Sequence, residues 1–234
     1  MKNLIKKLKK IVKWSVLLFF ASTFVWTAVY RYINPPFTPL MLARYIQDDR
    51  DEKVIEKSWI NLDHISQNTI LAVVAAEDQS YFSHWGFDFN QINKSILDYE
   101  KKGSFRGAST ISQQTAKNVF LLPVRSWLRK GFESYFTVLI EILWGKKRIL
   151  EVYLNVAELG SGYYGVEAAS NHYFGKSASK LNQREAAHLA SLLPNPREYH
   201  KKVYSDYRKK KTTWIIKQMK NLGGTGYIDK KLNK

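Results

Sequence analysis

The sequence predicts a mainly α-helical domain carried behind an N-terminal transmembrane helix. Three observations predict it. An uncharged apolar run follows a cluster of lysines, apolar residues elsewhere recur at intervals of three and four, and few segments alternate as strands do. At 234 residues, with 45% hydrophobic and 14% aromatic side chains, the chain can bury one core of ordinary size, which excludes a disordered or collagen-like protein. Without cysteine, disulfide frameworks, Cys-ligated zinc, iron–sulfur clusters and a thiol nucleophile are excluded as well.

Residues 1–13 form a basic segment holding Lys2, Lys6, Lys7, Lys9, Lys10 and Lys13. Trp14–Tyr30 carries no charge, and residues 14–33 as helix span roughly 30 Å, the thickness of a bilayer core. The lysines on one side predict a cytoplasmic N-terminus and export of the rest, giving a single-pass membrane protein with an exported domain. Trp14, Trp26, Tyr30 and Tyr32 sit near the ends of the run, where amphipathic rings prefer the interface. A cleavable signal peptide fits less well, because the run is long and no small-x-small site precedes Asn34-Pro35-Pro36.

The prolines open a linker and surface segment, 34–64, of which 48–58 is charged and lacks periodicity. Residues 65–200 then read as one helical domain. Ser66 or Asn68 caps a helix running to Glu77, and a second lies near 90–101. Thr110 and Gln113 make a capping box opening a helix to Phe120. Leu128, Phe132, Phe136, Leu139 and Leu143 mark an amphipathic helix, and Ile149, Leu150, Tyr153 and Leu154 another. A second capping box, Asn182 with Glu185, starts a helix that stops before Pro194. Residues 201–234 form a basic helical tail. Of the net charge of +17, residues 1–13 supply +6 and this tail +9, so the body is nearly neutral. Basic ends on a neutral body favour membrane lipid and argue against nucleic acid.

Two motifs mislead. Gly160 to Gly165 matches G-x-G-x-x-G, but the segment before it has helical period, so the glycines read as a turn between helices. Ser177-Ala-Ser-Lys180 matches S-x-x-K, yet no S-D-N or K-T-G follows. The five histidines show no metal-ligand spacing, and His84 taken alone reads as a structural hydrogen-bonding residue.

Three segments carry the chemistry. In the first, an apolar helix ends in Glu77 and Asp78, followed by aromatics and His84. A carboxylate there meets the negative end of the helix dipole and apolar neighbours, both of which raise its pKa toward that of a general acid or base. In the second, Gly107, Ser109, Thr110, Gln113, Gln114, Lys117 and Asn118 gather amides and a cation at a helix N-terminus, an arrangement suited to phosphate or pyrophosphate. In the third, Arg125, Arg129 and Lys130 lie beside a second acid, Glu133. Arg129 and Glu133 alone could be an i,i+4 surface pair. Two separated acids with a cationic, amide-rich site between them fit glycosyl transfer to a hydroxyl from a phosphorylated leaving group.

EDQSYFSHWGFD (77–88), RGASTISQQTAKN (106–118), RKGFE (129–133), KKRILEVYLN (146–155) and LPNP (193–196) resemble, in order, the motifs of the peptidoglycan glycosyltransferases. That family includes the glycosyltransferase halves of bifunctional penicillin-binding proteins, and the likeness covers roughly 65–200. It implies a lysozyme-like, two-lobed fold that polymerises lipid II into β-1,4-linked glycan, inverting the sugar and releasing undecaprenyl diphosphate. By the same likeness Glu77 is the general base. Glu133 assists the diphosphate directly or through water or metal, and Lys117 and Arg125 hold that group. Gly107, Ser109, Gln114 and Asn118 line the sugar and phosphate sites, with Gln113, Thr110, His84, Arg129 and Lys130 around them. No cofactor is required, although a divalent cation is compatible. The expected partners are lipid II, the growing glycan, membrane lipids and other proteins of wall synthesis. The rival reading is a membrane-anchored, lysozyme-like enzyme that cuts glycan. The two acids should face one cleft, farther apart than the ~5–5.5 Å of a retaining pair.

Overall fold

Short polar side chains start most of the helices. Ser66, Asp88, Thr110, Ser126, Asn182 and Ser205 each accept a hydrogen bond from a backbone N–H of the turn that follows, and Thr110–Gln113 and Asn182–Glu185 are both complete capping boxes. A computed structural model describes residues 2–50, 53–103, 107–201 and 205–233. Arg106 of the second motif and residues 51 and 52 of the charged segment lie outside the described residues.

In chain order the helices are α1 (Lys2–Tyr32), α2 (Pro39–Ile46), α3 (Gln67–Glu77), α4 (Phe89–Lys102), α5 (Ile111–Phe120), α6 (Trp127–Leu143), α7 (Gly145–Val156), α8 (Val166–Phe174), α9 (Gln183–Ala190), α10 (Pro196–Lys201), α11 (Asp206–Asn221) and α12 (Thr225–Leu232). Three short strands, β1 (Glu56–Lys57), β2 (Glu158–Gly160) and β3 (Tyr163–Tyr164), form a sheet in the order β1-β3-β2. β3 is parallel to β1 and antiparallel to β2.

α3 explains the layout of the core. Thr69 to Ala75 are all buried, so this helix is apolar on every side and must be surrounded. It packs against α9, α11 and α12, while α5 fills the space between α6 and α7. Glu77 therefore ends a central helix. The fold is mainly α-helical.

The structure departs from the sequence reading in three places. α11 and α12 are walls of the core, with Ile215, Met219 and Ile228 buried, although residues 201–234 read as a basic tail. Their sequence is dominated by solvated lysines, which hides a narrow apolar stripe. The 34–64 linker contains α2, whose Leu40 and Met41 are buried. The G-x-G-x-x-G glycines belong to a β2–β3 hairpin leading into α8, where Gly165 has φ +83° and a Cβ would lie 2.7 Å from the Asn155 carbonyl oxygen. That hairpin contains no βαβ unit, so its glycines serve a turn and a close backbone approach.

α1 is joined to the domain by side chains as well as by the chain. Phe19 meets Phe132, Thr23 Oγ1 lies 2.8 Å from the Tyr135 hydroxyl, Trp26 stacks edge-on to Phe120, and Trp144 Nε1 donates to the Thr27 carbonyl at 2.7 Å. Arg148 donates to the carbonyls of Tyr30 and Ile33, satisfying the last turn of α1. The contacts advance together along both helices, so α1 and α6 run side by side in the same sense.

Candidate active site

Glu77 closes α3 at its C-terminal end, half-buried. Gln114, one turn into α5, donates from Nε2 to Glu77 Oε2 at 2.8 Å. The other end of that amide accepts from the Tyr153 hydroxyl of α7 at 3.0 Å. Burial pushes the Glu77 carboxyl above the ordinary glutamate range, opposed by the Gln114 hydrogen bond and the charges of Lys211 and Lys117, while Asp78 adds to the rise. Among the described residues no ion pair engages this carboxyl, which leaves it able to take a proton.

Glu133 lies in α6 with only 3% of its surface exposed. It accepts from Arg129 Nη1 at 2.7 Å and from Lys130 Nζ. The i,i+4 pair is therefore buried rather than superficial, and its acid holds two cations in place. Lys117 of α5 feels the charges of both Glu133 and Glu77. Burial pushes its ammonium below the ordinary lysine range, aided by Arg129 and Lys130.

Beside them opens a cleft of about 400 Å³, which Lys117 lines directly and which Glu77 and Glu133 border only through their partners Gln114 and Arg129. Gln114, Lys117, Asn118, Arg125, Arg129 and Tyr153 line it, and its far end is formed by Arg44, Glu158 and the Leu193–Pro196 turn. Arg129 Nε is buried without a hydrogen-bond partner, a donor at the wall of this cleft. Such a site can bind a multiply charged anion through rigid donors, close to a carboxyl able to take a proton.

Other residues from the sequence prediction turn toward the protein. Thr110 and Gln113 spend their side chains on the capping box, and Thr110 Oγ1 also donates to the Gly86 carbonyl at 2.6 Å. His84 Nε2 lies 3.0 Å from Asp78, whose other oxygen accepts from the Ile111 backbone N–H at 3.0 Å. Gly107 and Ser109 are exposed before α5 and do not line the cleft, nor does Lys130, whose ammonium is bonded to Glu133. Gly86 is required where it stands, since it has φ +77° and a Cβ would lie 2.6 Å from Thr137 Cγ2.

Asp78, His84 and Asp88 bring ligand-type atoms within 4.8 Å of one another. Asp78 already accepts from His84 and a backbone N–H, and Asp88 from Ser80 and the Gln91 N–H. With those lone pairs engaged, the cluster fits a bracket that ties α3 to α4 and α5 better than a cation site.

Sequence reasoning missed Tyr153 and Lys211. Tyr153 fell in the apolar stripe of α7 and read as packing, and Lys211 stood in a run of lysines; neither carried a local signal.

A family model described as transglycosylase matches residues 44–220. Over 227 residues the chain is 45% identical to the biosynthetic peptidoglycan transglycosylase of Pseudomonas fluorescens (strain SBW25), covering 96% of this chain and 93% of that one. It is 46% identical to the protein of the same name from Pseudomonas syringae pv. syringae (strain B728a), over 94% of each. The Xanthomonas campestris pv. campestris (strain B100) protein of that name is 44% identical over 95% of this chain and 93% of its own. The family model takes in well over half of the chain and these relatives match more than nine-tenths of it: the chain belongs to the transglycosylase family.

Proposed function

We propose that this peptidoglycan glycosyltransferase polymerises lipid II, with Glu77 as the general base and the Lys117–Arg125–Arg129 cleft as the diphosphate site. The GlcNAc 4-hydroxyl of one lipid II attacks C1 of MurNAc at the lipid-linked end of the growing strand. Glu77 takes the hydroxyl proton as the new C1–O bond forms. The bond from C1 to the diphosphate oxygen breaks with its electron pair, C1 inverts, and undecaprenyl diphosphate leaves. Lys117, Arg125 and Arg129 meet the charge that develops on it, and Glu133 keeps Arg129 and Lys130 oriented. Asn118 and Gln114 border the same space. A divalent cation would supply further charge neutralisation at the diphosphate. No step above depends on one.

The observation that carries this reading is the pairing of a proton acceptor with a cation-lined cleft. A glycan-cleaving enzyme could use an acid such as Glu77 but has no need for a diphosphate site. Incubation of the full chain in vesicles with lipid II, with and without chelator, tests it. Polymer with released undecaprenyl diphosphate is expected; shortening of preformed strands without synthesis overturns it.

A lipid-linked substrate calls for a site at the bilayer. α1 is a candidate anchor by length and hydropathy; we read its lysines as cytoplasmic, which would put the domain at the periplasmic face of the inner membrane. Because α6 runs beside α1, its first turn, with Trp127 92% exposed and Leu128 beside it, sits toward the lipid. Phe89, Ile96, Leu97, Leu122 and Val124 are exposed in the same stretch of chain. We assign this region to the apolar interior of that membrane, with the basic ends on lipid head groups and other wall-synthesis proteins as further partners.

A further inference from the structure

We infer that Tyr153 is a positioning residue for the base: its hydroxyl fixes the Gln114 side-chain amide in the one orientation that donates to Glu77. The inference rests on the reading of Glu77 as base.

A carboxamide offers a donor at one end and an acceptor at the other, and its two flipped forms are nearly equal in shape. Opposite Glu77 they are opposite in effect. With Nε2 forward the amide holds the carboxylate, whereas with Oε1 forward it repels it. The local sequence of α5 does not choose between them. Tyr153 does, because its hydroxyl donates to Oε1 at 3.0 Å and leaves Nε2 to reach Glu77 at 2.8 Å.

The phenol is suited to this use. It is 1% exposed, in a stretch of α7 where Val152 and Leu154 are buried as well, with α5 packed against that helix. Burial, with the charges of Glu77 and Asp78, pushes its pKa well above the ordinary phenol range, so at neutral pH it remains a donor. The chain Tyr153–Gln114–Glu77 crosses three helices and ends on the reacting carboxyl. The charges reaching Glu77 are those of Lys117 on α5, Lys211 on α11 and its neighbour Asp78. None of them sets the direction in which the carboxyl points.

Tyr153→Phe removes one buried oxygen and keeps the ring. Freed to flip, Gln114 donates to Glu77 for only part of the time. The carboxylate then loses aim and holds its proton more tightly. In polymerisation of lipid II by the full chain, kcat should fall roughly five- to fiftyfold with KM within about twofold. The acid limb of the kcat profile should move to higher pH. Gln114→Met should move the acid limb in the same direction, and adding Tyr153→Phe to it should cost nothing more. A parental kcat and acid limb in Tyr153→Phe, an equal loss at every pH in a folded variant, or additive losses in the double variant would each overturn the inference. Glu77→Gln separates the two levels. Parental turnover in that variant removes the base itself, whereas inactivity there beside a parental Tyr153→Phe removes only the role of Tyr153.

Discussion

Glu77 and Glu133 are the same residue in opposite surroundings. At the end of α3, Glu77 is held by one neutral amide, with the nearest lysines acting on it only at a distance. In the second turn of α6, Glu133 is buried and bonded to two cations. The physical consequence follows from charge balance. An acid bonded to two cations serves as a framework for them, whereas an acid desolvated beside a neutral donor holds a proton more readily than a free glutamate. The difference teaches that environment rather than residue type sets the two acids apart, and on the proposed reading it divides the labour of the site: one region moves a proton, the other holds charge for a leaving anion.

The sharpest way to break this contrast is Glu77→Gln, which leaves the shape and the Gln114 contact but removes the acceptor. Polymerisation should fall by at least ~10²–10⁴. Synthesis at the parental rate would show that the proton goes elsewhere. Next in size, Lys117→Ala takes a cation from the cleft and should lower kcat by about 10²-fold, in the manner of a lost donor to developing negative charge. Because Lys117 feels both acids, its loss should also alter the pH profile, which a purely structural lysine would leave in place.

How much of this was legible before the structure can be read from particular residues. Glu77, Lys117, Arg125 and Glu133 stood out because each lies at a helix end or on one helical face within a short motif, where spacing alone fixes neighbours. The capping boxes at Thr110 and Asn182 were readable for the same reason. The contribution of Tyr153 was not, since a tyrosine in a buried stripe has the same spacing whether it packs or orients an amide. Lys211 reaches Glu77 only because α11 folds back on α3, a contact between residues 134 positions apart in the sequence. The small sheet escaped because strands of two and three residues are too short to show alternation.

Stability sharpens the contrast further. Glu133→Gln keeps the volume but withdraws the charge from Arg129 and Lys130, leaving two cations near Lys117 without their counterion. It should destabilise the fold by about 1–3 kcal/mol, read from chemical denaturation. Part of the Lys130 share is discounted because that side chain is 42% exposed. A variant as stable as the parent would make Glu133 dispensable as a framework.

The smallest effect has the opposite sign. Burial raises the Glu77 carboxyl above its ordinary value of 4.5, so the folded state binds that proton more tightly than the unfolded chain does. Its contribution to stability is complete below the unfolded value and is lost as pH rises through the folded one, which leaves the ionised group a net cost at neutral pH. Glu77→Gln removes that cost and keeps an oxygen for Gln114 to donate to. Its melting temperature at neutral pH should therefore rise slightly above the parent's, and the difference should shrink as the pH is lowered and the parent's carboxyl takes up its proton. A variant less stable than the parent at neutral pH would mean that Lys117 and Lys211 outweigh burial. Glu77 would then belong with Glu133 as a charge held by its partners, and the division of labour between the two acids would fail.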